Sequence, residues 1–198
     1  MKENNNNILE TNKDKDASEI NNKTKENSDH VKIRDMVFIA VFTAIIAALS
    51  QVSIPMPNMV PITLQTFAVS LAGYFLGAKK GVASVGVYVM LGAVGAPVFA
   101  SFKGGFAVLI GYTGGFIWGF IPLAFLCGIL ADKKLGMALG VLGIVVCHLL
   151  GSIQYMILSG NGFWASVALV SLPYILKDLL LIPAAFFISK TIKKRIRL

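Results

Sequence analysis

Residues 135–159 read LGMALGVLGIVVCHLLGSIQYMILS and contain no Asp, Glu, Lys or Arg. Because a helix needs about 20 mostly apolar residues to cross a bilayer, this stretch predicts a membrane-spanning helix. Five further segments come close to the same length and character, and they cover residues 36–54, 61–78, 81–100, 105–131 and 163–189. The chain is 56% hydrophobic and 14% charged, a composition that excludes a soluble domain of this size. We therefore expect a helical protein that crosses the membrane several times.

The basic residues between these segments predict their orientation. Lys and Arg flank the first segment on its N-terminal side, recur at Lys79-Lys80 and Lys133-Lys134, and follow residue 189, whereas the alternate junctions carry only Lys103. Because cytoplasmic loops are enriched in Lys and Arg, the predicted fold is an all-α protein of the cell membrane with six transmembrane helices and both termini cytoplasmic. Basic loops beside an anionic leaflet account for the net charge of +8, so no nucleic-acid partner is expected.

Three regions follow from this pattern. Residues 1–35 include eight Asn, seven basic and eight acidic side chains and no aromatic one, so they cannot bury enough apolar surface to offset the entropy of ordering. We predict a disordered cytoplasmic tail over 1–35, a six-helix membrane domain over 36–190 and a basic cytoplasmic tail over 191–198.

Three charged residues lie away from the basic junctions, on the opposite side of the predicted membrane domain: Lys103, Lys177 and Asp178. An ionisable group at membrane depth is costly and generally functional, which indicates a polar substrate handled from outside. The alternative is that Lys177 and Asp178 serve folding alone. Because adjacent helical residues diverge by about 100°, we expect these two not to pair face to face, and Lys177 to extend to the outer interface.

The cysteine and histidine side chains of the predicted helices are expected to have structural roles and no catalytic or metal-binding role. Cys127 and Cys147 are typical of small apolar core residues, and His148 is expected to be hydrogen-bonded in the interior because no second ligand suggests a metal site. The chain lacks a nucleotide-binding loop and a recognisable Ser/His/Asp motif. We therefore expect no enzyme, no catalytic residue, no bound metal and no cofactor.

The junctions on the outer side are rich in Pro, Gly and polar residues. Pro55, Pro57 and Pro61 favour an extended crossing, which places Thr63, Gln65 and Thr66 at the mouth of the second helix. Glycines are dense from residue 104 to residue 115. Irregular backbone at membrane depth is tolerated where it lines a cavity, although small residues also permit tight helix packing.

Three blocks in these junctions, VPITLQT at 60–66, GAVGAPVF at 92–99 and GYTGG at 111–115, resemble the signature sequences of the BioY family. The resemblance extends from about residue 36 to residue 190. It implies a biotin-specific S component, the substrate-binding subunit of an energy-coupling factor (ECF) transporter, which takes biotin from outside. It also implies a transmembrane coupling protein and two cytoplasmic ATPases as partners. The chain departs from the family at Tyr112, where Pro is usual, and at Leu181, where the family tends to have Lys.

Biotin has a ureido ring with two N–H donors, an apolar thioether ring and a valerate carboxylate. Asp178 is the candidate partner of the ureido N–H groups, and Lys103 is the candidate partner of the carboxylate. The full set of candidate substrate-binding residues is Asp178, Lys103, Thr113, Tyr88, Gln65, Phe99, Tyr112, Gly104, Gly105, Gly114 and Lys177. Aromatic walls are expected from Tyr88, Phe99, Phe106, Tyr112, Trp164 and Tyr174.

Ala40, Ala44 and Ala48 recur at i, i+4 spacing on the first helix. Such a stripe permits close helix contact, either with the coupling protein, as the resemblance implies, or within the chain. Two alternative functions stay open. One is an S component for a different vitamin, and the other is an intramembrane enzyme with Asp178 as acid or base, for which a second carboxylate or a nucleophile within the spans is lacking.

Overall fold

The computed structural model describes residues 31–196, and apolar helices make up most of this part of the chain. A hairpin of two short strands joins the first two helices, with β1 (Ser53–Ile54) antiparallel to β2 (Ile62–Thr63). The helices are α1 (Val31–Ser50), α2 (Gln65–Leu76), α3 (Ala78–Ala93), α4 (Phe106–Ile110), α5 (Gly114–Ile129), α6 (Lys134–Ser159), α7 (Phe163–Val170) and α8 (Leu172–Ile196).

Helix length and hydropathy define a membrane protein. Within residues 31–196, the helices α1, α6 and α8 are long and apolar enough to cross a bilayer, and α5 is a shorter apolar helix. Leu and Val side chains stay exposed along α6 and α8, for example Leu142, Leu149 and Leu180, as expected for surfaces that face lipid. The prediction of a helical membrane protein is confirmed, while the count of six spans stays a prediction.

Two predicted segments are broken in the structure. Residues 105–131 form α4 and α5, which are separated by residues 111–113, and residues 163–189 form α7 and α8, which are separated by Ser171. Pro173 lies in the first turn of α8, where its missing N–H is tolerated, and it cannot donate the backbone hydrogen bond that would continue α7 into α8. Hydrophobicity alone does not register such breaks, because the apolar pattern continues across them.

The entry into α2 also differs from the predicted helix over 61–78. Ile62 and Thr63 pair with β1, and the helix begins only at Gln65. At its other end Gly77 adopts φ +80° between α2 and α3, a conformation that favours glycine. Residues 61–78 therefore contain the strand β2, the helix α2 and the turn at Gly77 that leads into α3.

Helices α5 and α6 pack closely because glycines line their contact. A Cβ atom added at Gly119 would lie 2.7 Å from the Cα atom of Cys147, and one added at Gly115 would lie 2.9 Å from the Cα atom of Gly151. Small residues allow such close approach in membranes. These glycines therefore serve packing, and the packed pair holds α6 side chains against the centre of the protein.

Both ends of the described chain are helical. The helix α1 includes residues 31–35, and α8 extends through Ile196, so the helices reach further than the predicted membrane domain over 36–190. The prediction of a disordered tail concerns residues that lie mostly outside the described range, and the region boundaries stay predictions.

Candidate functional site

One cavity is lined by polar residues from the junctions that were predicted to lie on the outer side. Its free space, counted together with the open solvent at its mouth, is about 630 Å³. Its wall comes from the hairpin, the connection between α3 and α4, and the helices α2, α4, α5, α6 and α8. The lining residues are Val60, Pro61, Thr63, Gln65, Thr66, Phe99, Ala100, Lys103, Val108, Thr113, Phe116, Ile117, Phe120, His148, Tyr174, Lys177 and Asp178.

Among the described residues that line this cavity, Asp178 is the only carboxylate. It is 2% exposed, so its charge depends on the donors around it. Its Oδ1 atom accepts a hydrogen bond of 2.5 Å from Thr66 Oγ1 and lies 2.7 Å from Lys177 Nζ. Its Oδ2 atom lies 3.1 Å from His148 Nε2. Helices α2, α6 and α8 thus meet at one buried carboxylate.

The Lys177–Asp178 contact corrects the expectation that these neighbours do not pair. Their Cβ directions do diverge on α8, but the four-carbon lysine stem curls back, and the ammonium group lies 2.7 Å from the carboxylate. Lys177 Nζ also donates to the carbonyl oxygen of Thr63 at 2.6 Å. Its side chain is 25% exposed. The lysine therefore links α8 to β2 at the cavity instead of extending away from it.

His148 is a site residue that sequence reasoning placed in the interior but not in the cavity wall. It is buried and hydrogen-bonded, as predicted. Its Nδ1 atom lies 3.2 Å from Ser171 Oγ, which lies 2.7 Å from Ser152 Oγ. His148 and Ser152 are four residues apart on α6 and share a face, and this spacing was the available signal in the sequence.

Ser171, His148 and Asp178 thus form a hydrogen-bonded row that no sequence motif revealed. The row differs from a hydrolytic site because Ser171 is buried and is not among the residues that line the cavity. A nucleophile has to reach the substrate. Within residues 31–196, no group of three or more His, Cys, Asp or Glu side chains could hold a metal ion.

A second polar group lies at the start of α2. Gln65 Nε2 donates to the Tyr88 hydroxyl at 2.6 Å, and Thr63 Oγ1 donates to Gln65 Oε1 at 3.0 Å. Tyr88 is fully buried and contacts Phe99 edge to face, with ring centroids 5.5 Å apart. Tyr88 therefore orients Gln65 from behind and is not itself among the lining residues.

Lys103 is the second cation of the cavity wall. Its backbone pairs with Phe99, whose N–H donates to the Lys103 carbonyl at 2.9 Å. Its side chain is exposed, and among the described residues it has no hydrogen-bond or ion-pair partner. In contrast to Lys177, Lys103 is available to an anionic group of a ligand.

The remaining predicted residues divide between the wall and its surroundings. Thr113, Phe99 and Tyr174 line the cavity, whereas Gly104, Gly105, Gly114 and Tyr112 do not. Gly105, with φ +97°, donates its N–H to the Gly92 carbonyl at 2.7 Å and so shapes the loop that carries Lys103. Tyr112 contacts Tyr155, with ring centroids 5.4 Å apart.

Besides Tyr88 and Tyr112, two more of the aromatic residues expected in the wall lie elsewhere. Phe106 and Trp164 are 61% and 80% exposed and are absent from the lining. Aromatic side chains at the ends of apolar helices suit the membrane interface. Ala40, Ala44 and Ala48 are all exposed on α1, so this small-residue stripe faces outward.

Apolar helices around a cavity with one buried carboxylate and two lysines define an integral membrane protein with a site for a small polar molecule. Residues 21–198 match the model of the BioY family, and the chain belongs to that family.

Named relatives and a solved structure agree with this assignment. The chain is 39% identical to the biotin transporter BioY of Thermotoga maritima over 166 residues, which cover 82% of this chain and 97% of the relative. It is 36% identical to the probable biotin transporter BioY of Pyrococcus horikoshii, with coverages of 82% and 98%. The fold matches a crystal structure of the S-component for biotin from an ECF-type ABC transporter, with a TM-score of 0.70, 28% identity and coverages of 81% and 93%.

Proposed function

We propose that this chain captures biotin from outside the cell and mediates its uptake as the S component of an ECF transporter. The observation that carries the proposal is the cavity, whose wall combines the buried carboxylate of Asp178 with the ammonium group of Lys103, which has no partner within residues 31–196. The family and the named relatives support biotin as the molecule that fits this combination. The chain is a transport subunit and not an enzyme.

Each part of biotin has a matching surface. The ureido N–H groups donate to Asp178, because a buried carboxylate forms strong hydrogen bonds to such donors. Gln65 and Thr113 offer further polar contacts at the wall, and Phe99 with its apolar neighbours covers the thioether ring. The valerate carboxylate meets Lys103. A molecule without the ureido donors gains no hydrogen bond from Asp178 and therefore binds more weakly.

The energy for uptake comes from partner proteins. A transmembrane coupling protein docks against the exposed Ala40, Ala44 and Ala48 face of α1, where small side chains permit close helix contact. Two cytoplasmic ATPase subunits hydrolyse ATP, and the S component needs no cofactor. The solved structure that this fold matches is the S-component of an ECF-type ABC transporter, and this match supports the assembly.

The proposed topology is a multi-pass protein of the cell membrane with six spans and both termini in the cytoplasm. Lys79, Lys80, Lys133 and Lys134 lie at cytoplasmic turns, which leaves the cavity open to the outside. Single cysteines introduced at residue 134 and at residue 161, in a Cys127→Ala, Cys147→Ala background, test this arrangement. An impermeant maleimide added to whole cells is expected to label residue 161 and to spare residue 134.

Equilibrium binding of labelled biotin to the purified chain tests the function. Tight binding that unlabelled biotin displaces, and that other vitamins do not, is expected. Binding no stronger than about millimolar, together with tight binding of another vitamin, would refute biotin as the substrate and support an S component of different specificity.

A further inference from the structure

The orientation of the Asp178 carboxylate depends on a single donor at one of its two oxygen atoms. Thr66 and Lys177 both act on Oδ1, whereas His148 Nε2 is the one donor to Oδ2 among residues 31–196. The terminal torsion of an aspartate is broad and only weakly restricted by itself. Contacts at one oxygen fix the position of the group, and a contact at the second oxygen fixes the plane.

The hydrogen atoms along this row have assignable places. An ionised carboxylate only accepts, so Nε2 of His148 donates to Oδ2. In the neutral ring Nδ1 then accepts, and the hydroxyl of Ser171 lies 3.2 Å from Nδ1 and 3.4 Å from the carbonyl oxygen of His148, so that both of these acceptors belong to His148. A hydroxyl has one hydrogen atom, so Ser152 donates to Ser171 across their 2.7 Å contact. With the hydrogen atom of Ser171 directed at Nδ1, the shorter of its two contacts with His148, the row has a direction from Ser152 towards Asp178.

We propose that His148 is a positioning residue for substrate recognition, which holds the plane of the Asp178 carboxylate so that it receives the two ureido N–H groups together. The inference rests on the proposed function, because it assigns the carboxylate to the ureido ring. Two parallel donors match a carboxylate only when its plane contains them, as in other bidentate pairs. His148 acts through Asp178, and the serines keep its ring in the required tautomer.

Two amide substitutions at position 148 separate this role from packing. The amide nitrogen of Gln reaches the place of Nε2, whereas that of Asn reaches only the place of Nδ1. His148→Asn is therefore expected to weaken biotin binding about 10- to 100-fold, as for a lost hydrogen bond to a charged group. His148→Gln restores the donor to Oδ2 and is expected to recover most of that loss. Labelled biotin and the purified full chain serve as probe and sample, with thermal unfolding in detergent as the check of folding.

The double mutant with Asp178→Asn shows whether His148 acts through Asp178. If it does, adding His148→Asn to Asp178→Asn costs little more than Asp178→Asn alone, because the two losses overlap. Equal losses in the Asn and Gln variants, or fully additive losses in the double mutant, would overturn the inference.

A third variant keeps the test decisive if His148→Asn does not fold. Ser171→Ala removes the partner of Nδ1 and is expected to weaken biotin binding several-fold, about the effect of one neutral hydrogen bond. Unchanged binding in Ser171→Ala overturns the positioning role. Failure of the wild-type chain to bind biotin refutes the proposed function itself, so the two failures are distinguishable.

Discussion

Replacing Asp178 by Asn removes one buried charge and changes the size of the side chain very little. Three donors converge on the carboxylate at 2.5, 2.7 and 3.1 Å, and an amide offers only one acceptor oxygen to them. Removing one partner of a buried ion pair costs about 3–5 kcal/mol of stability. The cost here is expected near or below the lower end of that range, because Lys177 is 25% exposed and retains the Thr63 carbonyl.

Loss of the Asp178 carboxylate also weakens the binding of biotin. A hydrogen bond to a charged group contributes about 1.5–3 kcal/mol, so loss of the carboxylate is expected to raise the Kd for biotin about 10- to 150-fold. Equilibrium binding of labelled biotin to both purified proteins measures this ratio. Asp132→Asn is the matched control, because Asp132 is also paired to a lysine, Lys193, but its side chain is 76% exposed and lies outside the cavity wall. An Asp178→Asn protein that folds and binds biotin as tightly as the wild type would show that Asp178 does not contact the ligand.

Three further predictions address the rest of the site and the partner surface. Lys103→Ala is expected to weaken biotin binding up to about fivefold, since an exposed ion pair contributes at most about 1 kcal/mol. Biotin methyl ester lacks the carboxylate and should bind the wild type and the variant equally well. If the ester loses as much affinity as biotin does, Lys103 does not pair with the carboxylate. Gly104→Ala places a methyl group against the backbone carbonyl oxygens of Ala96 and Gly95, 2.7 Å from the oxygen of Gly95. The loop has to shift, so a lower unfolding temperature and weaker biotin binding are expected. An unchanged unfolding temperature and unchanged binding would show that the loop accommodates the methyl group without cost. Ala44→Leu enlarges an exposed side chain of α1; co-purification with the coupling protein should fall while biotin binding by the isolated chain persists, and undiminished co-purification would exclude this face as the docking surface.

The membrane class was predictable from sequence, while the breaks in the helices were not. Apolar runs report the length of chain that can lie in a bilayer, and α6 over Lys134–Ser159 agrees with its predicted segment within one residue at its start. The interruption at Ser171 depends on local geometry at Pro173 and on hydrogen bonds to His148. These contacts involve residues far apart in the chain, which periodicity does not detect.

The sequence predicted those residues of the cavity wall that stand out as charged residues in an apolar chain. Lys103 and Asp178 are conspicuous in an apolar chain, and both lie in the cavity wall; their contact with substrate stays a prediction. The pairing of Lys177 was predicted wrongly because helical geometry describes Cβ directions and not the reach of a long flexible stem. His148 was missed as a cavity residue because its partners, Asp178 and Ser171, come from another part of the chain.

The saturation of Asp178 has a consequence for the thermodynamics of uptake. Within the described residues, every buried side-chain nitrogen and oxygen atom has a partner, so this part of the unloaded protein leaves no buried charge without a partner. A carboxylate has about four lone-pair positions, and three donors already occupy it. Two incoming N–H groups therefore exchange with at least one of them. Such an exchange contributes selectivity, while most of the affinity has to come from water released by the apolar rings of the substrate.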